Sequence, residues 1–211
     1  GHITPRDPVD PHTFWLNPFG LAFSLIKASD LIRVDHSGNV VERAKNRLIN
    51  VAAFMIHSAI HMARPNVNCA AHAHSIHGRA FCALGKPIDI ISQDACAFYN
   101  PINSDTDCCQ DHLVYNEFNG VVLAAEEGKN IAKALGSVKA ALLRNHGLLT
   151  VGKTIEEAVF WFVSLERCCQ AQLMADAAGT TIKINDADAA FTYKQVGSHA
   201  AGFLVTRKSD S

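Results

Sequence analysis

The amino-acid sequence predicts one α/β domain over residues 1–211, in which helices cover a layered sheet. Strand-like segments alternate with helix-like segments along the chain, a pattern typical of layered α/β proteins. The chain has 211 residues, enough for one sizeable hydrophobic core. Hydrophobic residues make up 48% of the chain and charged residues 18%, as in folded globular proteins.

The first third of the chain contains short strand-like segments that end at turn residues. These segments are residues 1–4, 13–17 and 31–35, the last of which turns at Ser37-Gly38-Asn39 and returns through Val40 and Val41. The spacing of apolar residues changes after these segments. Apolar residues recur at steps of three and four from Leu48 to Ala63, which predicts an amphipathic helix from about Asn46 to just before Pro65.

The rest of the chain continues the alternation of strands and helices. Strands are predicted at residues 69–74, 88–92, 120–123 and 140–144, with 148–151 continuing the last of these. Helices are predicted at 78–84 and 126–135, and residues 100–112 are predicted to form a polar surface loop. Thr154-x-x-Glu157 is a capping box that opens a long helix to about Ala178. Residues from Gly179 onward show little pattern.

Charge and composition exclude several classes of function. The net charge is −1 and the isoelectric point is about 6.9, so we expect neither nucleic-acid binding nor attraction to an anionic membrane. No apolar run approaches the roughly 20 residues that span a bilayer, and no signal peptide is visible. The 7 cysteines are irregularly spaced and form no disulfide framework or Cys-x-x-Cys array. Reduced, mostly buried cysteines in a cytoplasmic protein are therefore predicted.

Three histidines form the most informative pattern. His72 and His74 lie two residues apart in a predicted strand, so both point to the same face of the sheet. His146 follows another predicted strand, at a strand end where sites in α/β proteins collect. Three imidazoles could hold a divalent metal and leave coordination positions open for substrate. The alternative, that these are structural histidines at strand ends, remains open on this pattern alone.

Other candidate sites are weaker. His57 and His61 share a helix face, but the zinc-protease pattern needs Glu after the first histidine, and Ser58 is there instead. His77 and Arg79 follow the His-x-His segment closely and could line a site around it. A serine nucleophile elbow and Gly-rich phosphate loops are both missing from the sequence.

Taken together, several motifs resemble those of the class II aldolase/adducin head-domain family, and their residues are most similar to its adducin-like branch. The resemblance covers residues 1–178 and is carried by Gly1-His-Ile-Thr, Asn17-Pro-Phe-Gly, residues 50–61, Ala63-Arg-Pro, His72-Ala-His and residues 144–152. It implies a three-layer α/β/α sandwich with a mostly antiparallel central sheet, assembled as a homotetramer. Family members typically begin with a further helix, so that helix is expected to be absent here.

The resemblance also implies a zinc ion on His72, His74 and His146. In the family's aldolases this metal polarises a substrate carbonyl and stabilises an enolate. The catalytic Glu of those aldolases corresponds here to Ala53, which cannot transfer a proton. The phosphate-binding segments correspond to Gly1-His-Ile-Thr, Phe19-Gly20 and Val51-Ala52, whose side chains differ from the family's. A standard sugar-phosphate aldolase is therefore not expected.

Asp94 is the first candidate for the missing acid/base, because related chains often carry a carboxylate at this place. A loop or helix-capping role for Asp94 is an equal alternative. We therefore expect a metal-dependent lyase that catalyses aldol cleavage or decarboxylation of a small, non-phosphorylated substrate. Zn²⁺ is the first choice, with Fe²⁺, Mn²⁺ or Ni²⁺ also compatible with imidazole ligands. The alternatives are an Fe(II)-dependent oxidative decarboxylase and a non-catalytic, adducin-like assembly domain.

Overall fold

The computed structural model describes residues 1–41, 48–99, 111–120 and 125–204, which form a three-layer α/β/α sandwich. The strands are β1 (His2–Pro5), β2 (Thr13–Leu16), β3 (Ile32–Asp35), β4 (Cys69–Ala73), β5 (His112–Tyr115), β6 (Ala140–Leu143) and β7 (Gly147–Gly152). The α-helices are α1 (Val51–Ala63), α2 (Ile76–Cys82), α3 (Ala125–Leu135), α4 (Ile155–Ala178), α5 (Asp186–Val196) and α6 (His199–Leu204).

The central sheet has five strands in the order β1-β4-β7-β6-β5. Its neighbouring strands are antiparallel except for β5 and β6, which run parallel. A separate two-stranded sheet pairs β2 with β3. These observations confirm the predicted fold class, including the mostly antiparallel sheet.

Each face of the central sheet is covered by a pair of helices. Successive residues of a strand point to opposite faces, so Leu149 packs with α1 and α3 while Leu148 packs with α2 and α4. Both leucines are fully buried. Among the helices in the described part of the chain, none is both long and apolar enough to cross a bilayer.

Of the two predicted helix starts, the one at α4 is found where expected and the one at α1 is not. At α4 the predicted helix start is confirmed, since Thr154 Oγ1 accepts a hydrogen bond from the Glu157 amide at 3.1 Å. The Glu157 carboxylate accepts from the Lys153 amide at 2.7 Å and not from the Thr154 amide, so the capping box is only half formed. At α1 the predicted start is too early. The helix begins at Val51, because the Asn50 side chain accepts from the Ala53 amide and caps it.

The predicted strand at 88–92 is wrong, since these residues form no regular structure. Their backbone groups bind side chains instead: the Ile88 amide donates to His112 Nε2 at 3.0 Å, and the Asp89 amide to Gln172 Oε1 at 2.9 Å. One edge of the sheet is formed by β5, a strand that was not predicted and that begins at the last residue of the predicted loop, His112. Residues 140–151 form two antiparallel strands and not one continued strand. The predicted strand at 120–123 lies mostly outside the described residues.

Candidate metal centre and its cavity

The structure brings the three predicted histidines together at one end of the central sheet. His72 lies in β4, His74 directly follows it, and His146 lies in the turn between β6 and β7. Because β4 pairs with β7 in a register that sets Ala73 opposite Leu148, that turn lies beside the end of β4. One ring nitrogen from each histidine lies within 4.8 Å of the other two, and in the described chain this is the one such group of three.

The turn that carries His146 depends on two unusual backbone positions. Asn145 has φ of 58°, in the left-handed region that asparagine tolerates better than most residues. At Gly147 an added Cβ would lie 2.6 Å from the Ala73 carbonyl oxygen. The hairpin therefore approaches β4 as closely as a residue without a side chain allows, which brings His146 to the other two rings.

The three imidazoles have the protonation state that a metal ligand needs. His72 Nδ1 donates to the Leu148 carbonyl at 2.8 Å, and because a carbonyl can only accept, Nε2 keeps its lone pair. Burial lowers the pKa of His72 to about 3 and that of His146 to about 4, each with a smaller contribution from a neighbouring histidine. The pKa of His74 is also lowered, mainly by burial. At neutral pH the three rings are therefore neutral, and they fit a divalent metal.

A cavity of about 640 Å³ opens onto the three histidines. Much of its wall is apolar, formed by Phe19, Val51, Ala52, Ala53, Ile56 and Phe118. Its other polar side chains include His2, Asn50, Arg79 and Asn145. Among the described residues that line it there is no carboxylate. The cavity thus combines nitrogen ligands with apolar walls and one guanidinium.

The competing pair His57 and His61 lies behind the three histidines and is used differently. Thr4 Oγ1 lies 2.7 Å from His57 Nδ1 and 3.0 Å from His61 Nε2, so the threonine hydroxyl links the two rings. Both histidines are buried, and the His57 ring lies 6.4 Å from that of His72. The pair supports the floor of the site and belongs to no group of three potential ligands in the described residues.

Asp94 does not lie with the three histidines in this chain. It occupies the first turn of a short 3-10 helix (Asp94–Phe98), where its side chain is exposed, and it is not among the residues that line the cavity. His77, a weaker candidate, bonds through Nδ1 to Glu166 Oε1 at 3.0 Å. The acid/base role of Asp94 stays a prediction, and its position in a single chain does not support it.

Glu166 is a residue that the sequence analysis missed. Its carboxylate accepts hydrogen bonds from the Ser75 hydroxyl, the His77 amide at 3.0 Å and the Gly78 amide at 2.7 Å. These donors form the turn that directly follows His74, so Glu166 fixes the backbone next to the proposed ligand. No local pattern could reveal this contact, because the partners are 88 to 91 residues apart in sequence.

Comparison with known proteins shows the same architecture elsewhere. Decarboxylase NovR of Streptomyces niveus is 45% identical over 204 residues, covering 96% of this chain and 71% of that protein. A Streptomyces roseochromogenus subsp. oscitans protein named 4-hydroxy-3-prenylphenylpyruvate oxygenase/4-hydroxy-3-prenylbenzoate synthase is 43% identical over 203 residues, covering 96% of this chain and 69% of that protein. The structure named L-fuculose 1-phosphate aldolase from Glaciozyma antarctica PI12 has a TM-score of 0.86 and 48% identity, covering 97% of this chain and 76% of that one.

The family model for the class II aldolase and adducin N-terminal domain matches residues 1–173. Class II aldolases generally depend on a divalent metal. The matched segment includes every strand of the central sheet and all three histidines of the candidate metal centre. The sequence match, the sheet order and the histidine arrangement agree, and this chain belongs to the class II aldolase and adducin N-terminal domain family.

Proposed function

We propose that this protein is a divalent-metal-dependent carbon–carbon lyase acting on a small, non-phosphorylated, oxygenated substrate, and that decarboxylation is its reaction. The observation that carries the proposal is the group of three neutral histidines, within 4.8 Å of one another, opening into a largely apolar cavity. Such a site leaves coordination positions free for a substrate carbonyl or carboxylate.

Decarboxylation is favoured over aldol cleavage because of what the cavity lacks. Aldol cleavage begins by removing a proton from a hydroxyl group, and the position of the aldolase glutamate is Ala53 here, a wall residue without a proton-transferring group. Loss of CO₂ needs no such proton removal to begin. The names of the two Streptomyces relatives, a decarboxylase and a phenylpyruvate oxygenase, support this choice.

The apolar wall also supports a substrate without phosphate. Val51 and Ala52 stand where the family's sugar-phosphate aldolases carry serines, and both line the cavity. A phosphate group placed against them would lose hydration without gaining hydrogen bonds. The relative named L-fuculose 1-phosphate aldolase shares the fold, but this part of the present cavity is unsuited to a phosphate ester.

His72, His74 and His146 would hold the metal, and when bound it would supply Lewis-acid polarisation of a substrate carbonyl. The Leu148 carbonyl fixes the ring of His72 with Nε2 free. Zn²⁺ is our first choice of metal, and Fe²⁺, Mn²⁺ and Ni²⁺ are also compatible with three imidazoles.

A second candidate is Fe(II)-dependent oxidative decarboxylation with dioxygen as the oxidant. It is favoured by the 43% identity to a protein named as an oxygenase. The two candidates differ in a direct measurement. With Fe²⁺ bound, the oxidative reaction consumes dioxygen in proportion to the CO₂ released, whereas simple decarboxylation proceeds equally well under nitrogen.

Metal analysis of the purified protein tests the proposal. We expect about one divalent metal per chain, lost in His146→Ala because two imidazoles do not complete the site. His12→Ala is the matched control, since His12 is exposed and does not line the cavity. CO₂ release from a panel of 3-oxo acids, whose loss of CO₂ leaves an enolate that the metal can stabilise, should be lost in the same variant. No stoichiometric metal in the wild type would contradict the proposal and favour the adducin-like assembly domain.

Asp94→Asn should abolish turnover if Asp94 transfers a proton. Turnover at the wild-type rate with an unchanged pH dependence would show that Asp94 takes no part in the reaction.

A homotetramer is expected from the family resemblance, and light scattering measures the number of chains in the assembly. A cytoplasmic location is expected from the reduced cysteines, and fractionation of cells tests it.

A further inference from the structure

Arg79 is the charged side chain in the cavity that the metal proposal leaves without a role. It lies in α2 and lines the cavity together with the three histidines. Within the described part of the chain, its guanidinium forms no ion pair, and no carboxylate lines the cavity. A guanidinium that lacks a counter-charge at this place is complementary to an anionic ligand.

The same cavity leaves large apolar surfaces exposed. Phe19 and Phe118 line it and are 57% and 49% exposed, and Val51 beside them is 50% exposed. Covering such side chains with an apolar ligand removes apolar area from water and favours binding. The cavity therefore suits a ligand that is anionic at one end and apolar at the other, with an oxygen between them for the metal.

We propose that Arg79 binds the carboxylate of the substrate, and that the substrate class is an oxo or hydroxy acid with an apolar, ring-sized substituent. The inference rests on the proposed function for the metal and its open positions. The contact between guanidinium and carboxylate is itself a binding interaction that needs no turnover. Arg79 is thus the residue that selects a free carboxylic acid over an uncharged ketone of the same shape.

The backbone around Arg79 is held in place before any ligand binds. Glu166 accepts hydrogen bonds from the first turn of α2, including the Gly78 amide at 2.7 Å. At Gly78 an added Cβ would lie 2.6 Å from Leu148 Cγ, so the helix packs directly against β7. Arg79 follows at the next position. The backbone from which the exposed Arg79 side chain reaches the cavity is therefore held by both contacts.

Binding of phenylpyruvate and phenylacetone, measured by calorimetry, tests the proposal, since these two ketones differ in the carboxylate. The protein is used both metal-free and loaded with Zn²⁺. Arg79→Gln should weaken phenylpyruvate binding on the order of 10- to 100-fold and leave phenylacetone binding unchanged. Arg79→Lys keeps the charge without the planar fork, so an intermediate loss is expected. Arg144→Gln is the matched control, because Arg144 lies beside Gly85 and does not line the cavity.

Each outcome bears on one proposal or the other. Wild-type affinity for phenylpyruvate in Arg79→Gln, or equal wild-type binding of the two ketones, overturns the role of Arg79. Failure of the wild type to bind phenylpyruvate overturns the substrate class. If the wild type carries no stoichiometric metal while the metal-free protein still binds phenylpyruvate through Arg79, the lyase proposal fails and only the contact between Arg79 and the carboxylate stands.

Discussion

At the scale of single residues, the candidate site depends on positions where a larger or differently shaped side chain would not fit. Gly147 lies so close to the Ala73 carbonyl that no Cβ can be added, and Gly78 lies equally close to Leu148. Asn145 adopts φ of 58° directly before His146. These positions determine where the histidine rings meet, although none of them is a proposed ligand.

Replacing Asn145 tests how much the ring geometry depends on that conformation. Glycine adopts positive φ without strain, whereas β-branched valine is an outlier there. We expect Asn145→Gly to keep stoichiometric metal, and Asn145→Val to lose about 1–2 kcal/mol of unfolding free energy and part of its metal affinity. Urea unfolding and metal titration measure both quantities. Equal metal affinity in the two variants would show that the turn tolerates another backbone conformation.

At the scale of elements, the site lies where two strands and one helix meet. The register of β4 against β7 sets the position of His146 along the sheet relative to His72 and His74. The helix α2 begins two residues after His74. Glu166, on the long helix α4, joins these elements because its carboxylate binds the turn between His74 and α2. An element of the opposite half of the chain thereby holds the segment next to the proposed metal ligands.

Glu166→Gln should disturb this connection while preserving the side-chain shape. An amide group cannot accept all the hydrogen bonds that the carboxylate accepts, and bonds to a charged group contribute about 1.5–3 kcal/mol. We expect a loss of that order in unfolding free energy, together with metal binding weakened roughly 10- to 100-fold. Glu126→Gln is the control, since Glu126 lies on the surface, 3.8 Å from Lys129. Unchanged metal affinity in Glu166→Gln would limit its role to stability.

At the scale of the whole molecule, both faces of the sheet enclose histidines that are neutral when folded. His112 accepts from the Ile88 amide through Nε2 and bonds the Phe98 carbonyl through Nδ1, an arrangement that requires the neutral ring. Burial lowers the pKa of His112 to about 4 and that of His61 to about 3. As pH falls below about 6.5, these histidines therefore bind protons in the unfolded chain but not in the folded chain.

This protonation difference predicts that the metal-free protein loses stability in mild acid. The stabilising effect of a lowered histidine pKa is complete above about pH 6.5 and is lost as pH falls toward the folded values. Each such histidine contributes up to about 1.4 kcal/mol per pH unit over that interval. Urea unfolding in EDTA at pH 7.5, 6.0 and 5.0 measures the decrease. His12→Gln should follow the wild type, because His12 is exposed. A constant unfolding free energy over this range would contradict the prediction.

Much of the architecture could be predicted from local patterns. The helix start capped by Thr154 and the helix that ends before Gly136 follow from residues close together in sequence, and both are found where expected. The strand expected at 88–92 was wrong because the partners of its backbone, His112 and Gln172, are remote in sequence. An apolar run shows burial, but it does not show which groups will take its hydrogen bonds.

The sequence by itself determined the α/β class, through the alternation of strands and helices, and the common face of His72 and His74, because side chains two apart in a strand point the same way. Only the tertiary structure decided that His146 approaches the other two, through the register of β4 against β7. It also decided that Arg79 lines the cavity and that Asp94 does not. The physical reason is that these distances arise from packing between segments far apart in the chain, where no local preference acts.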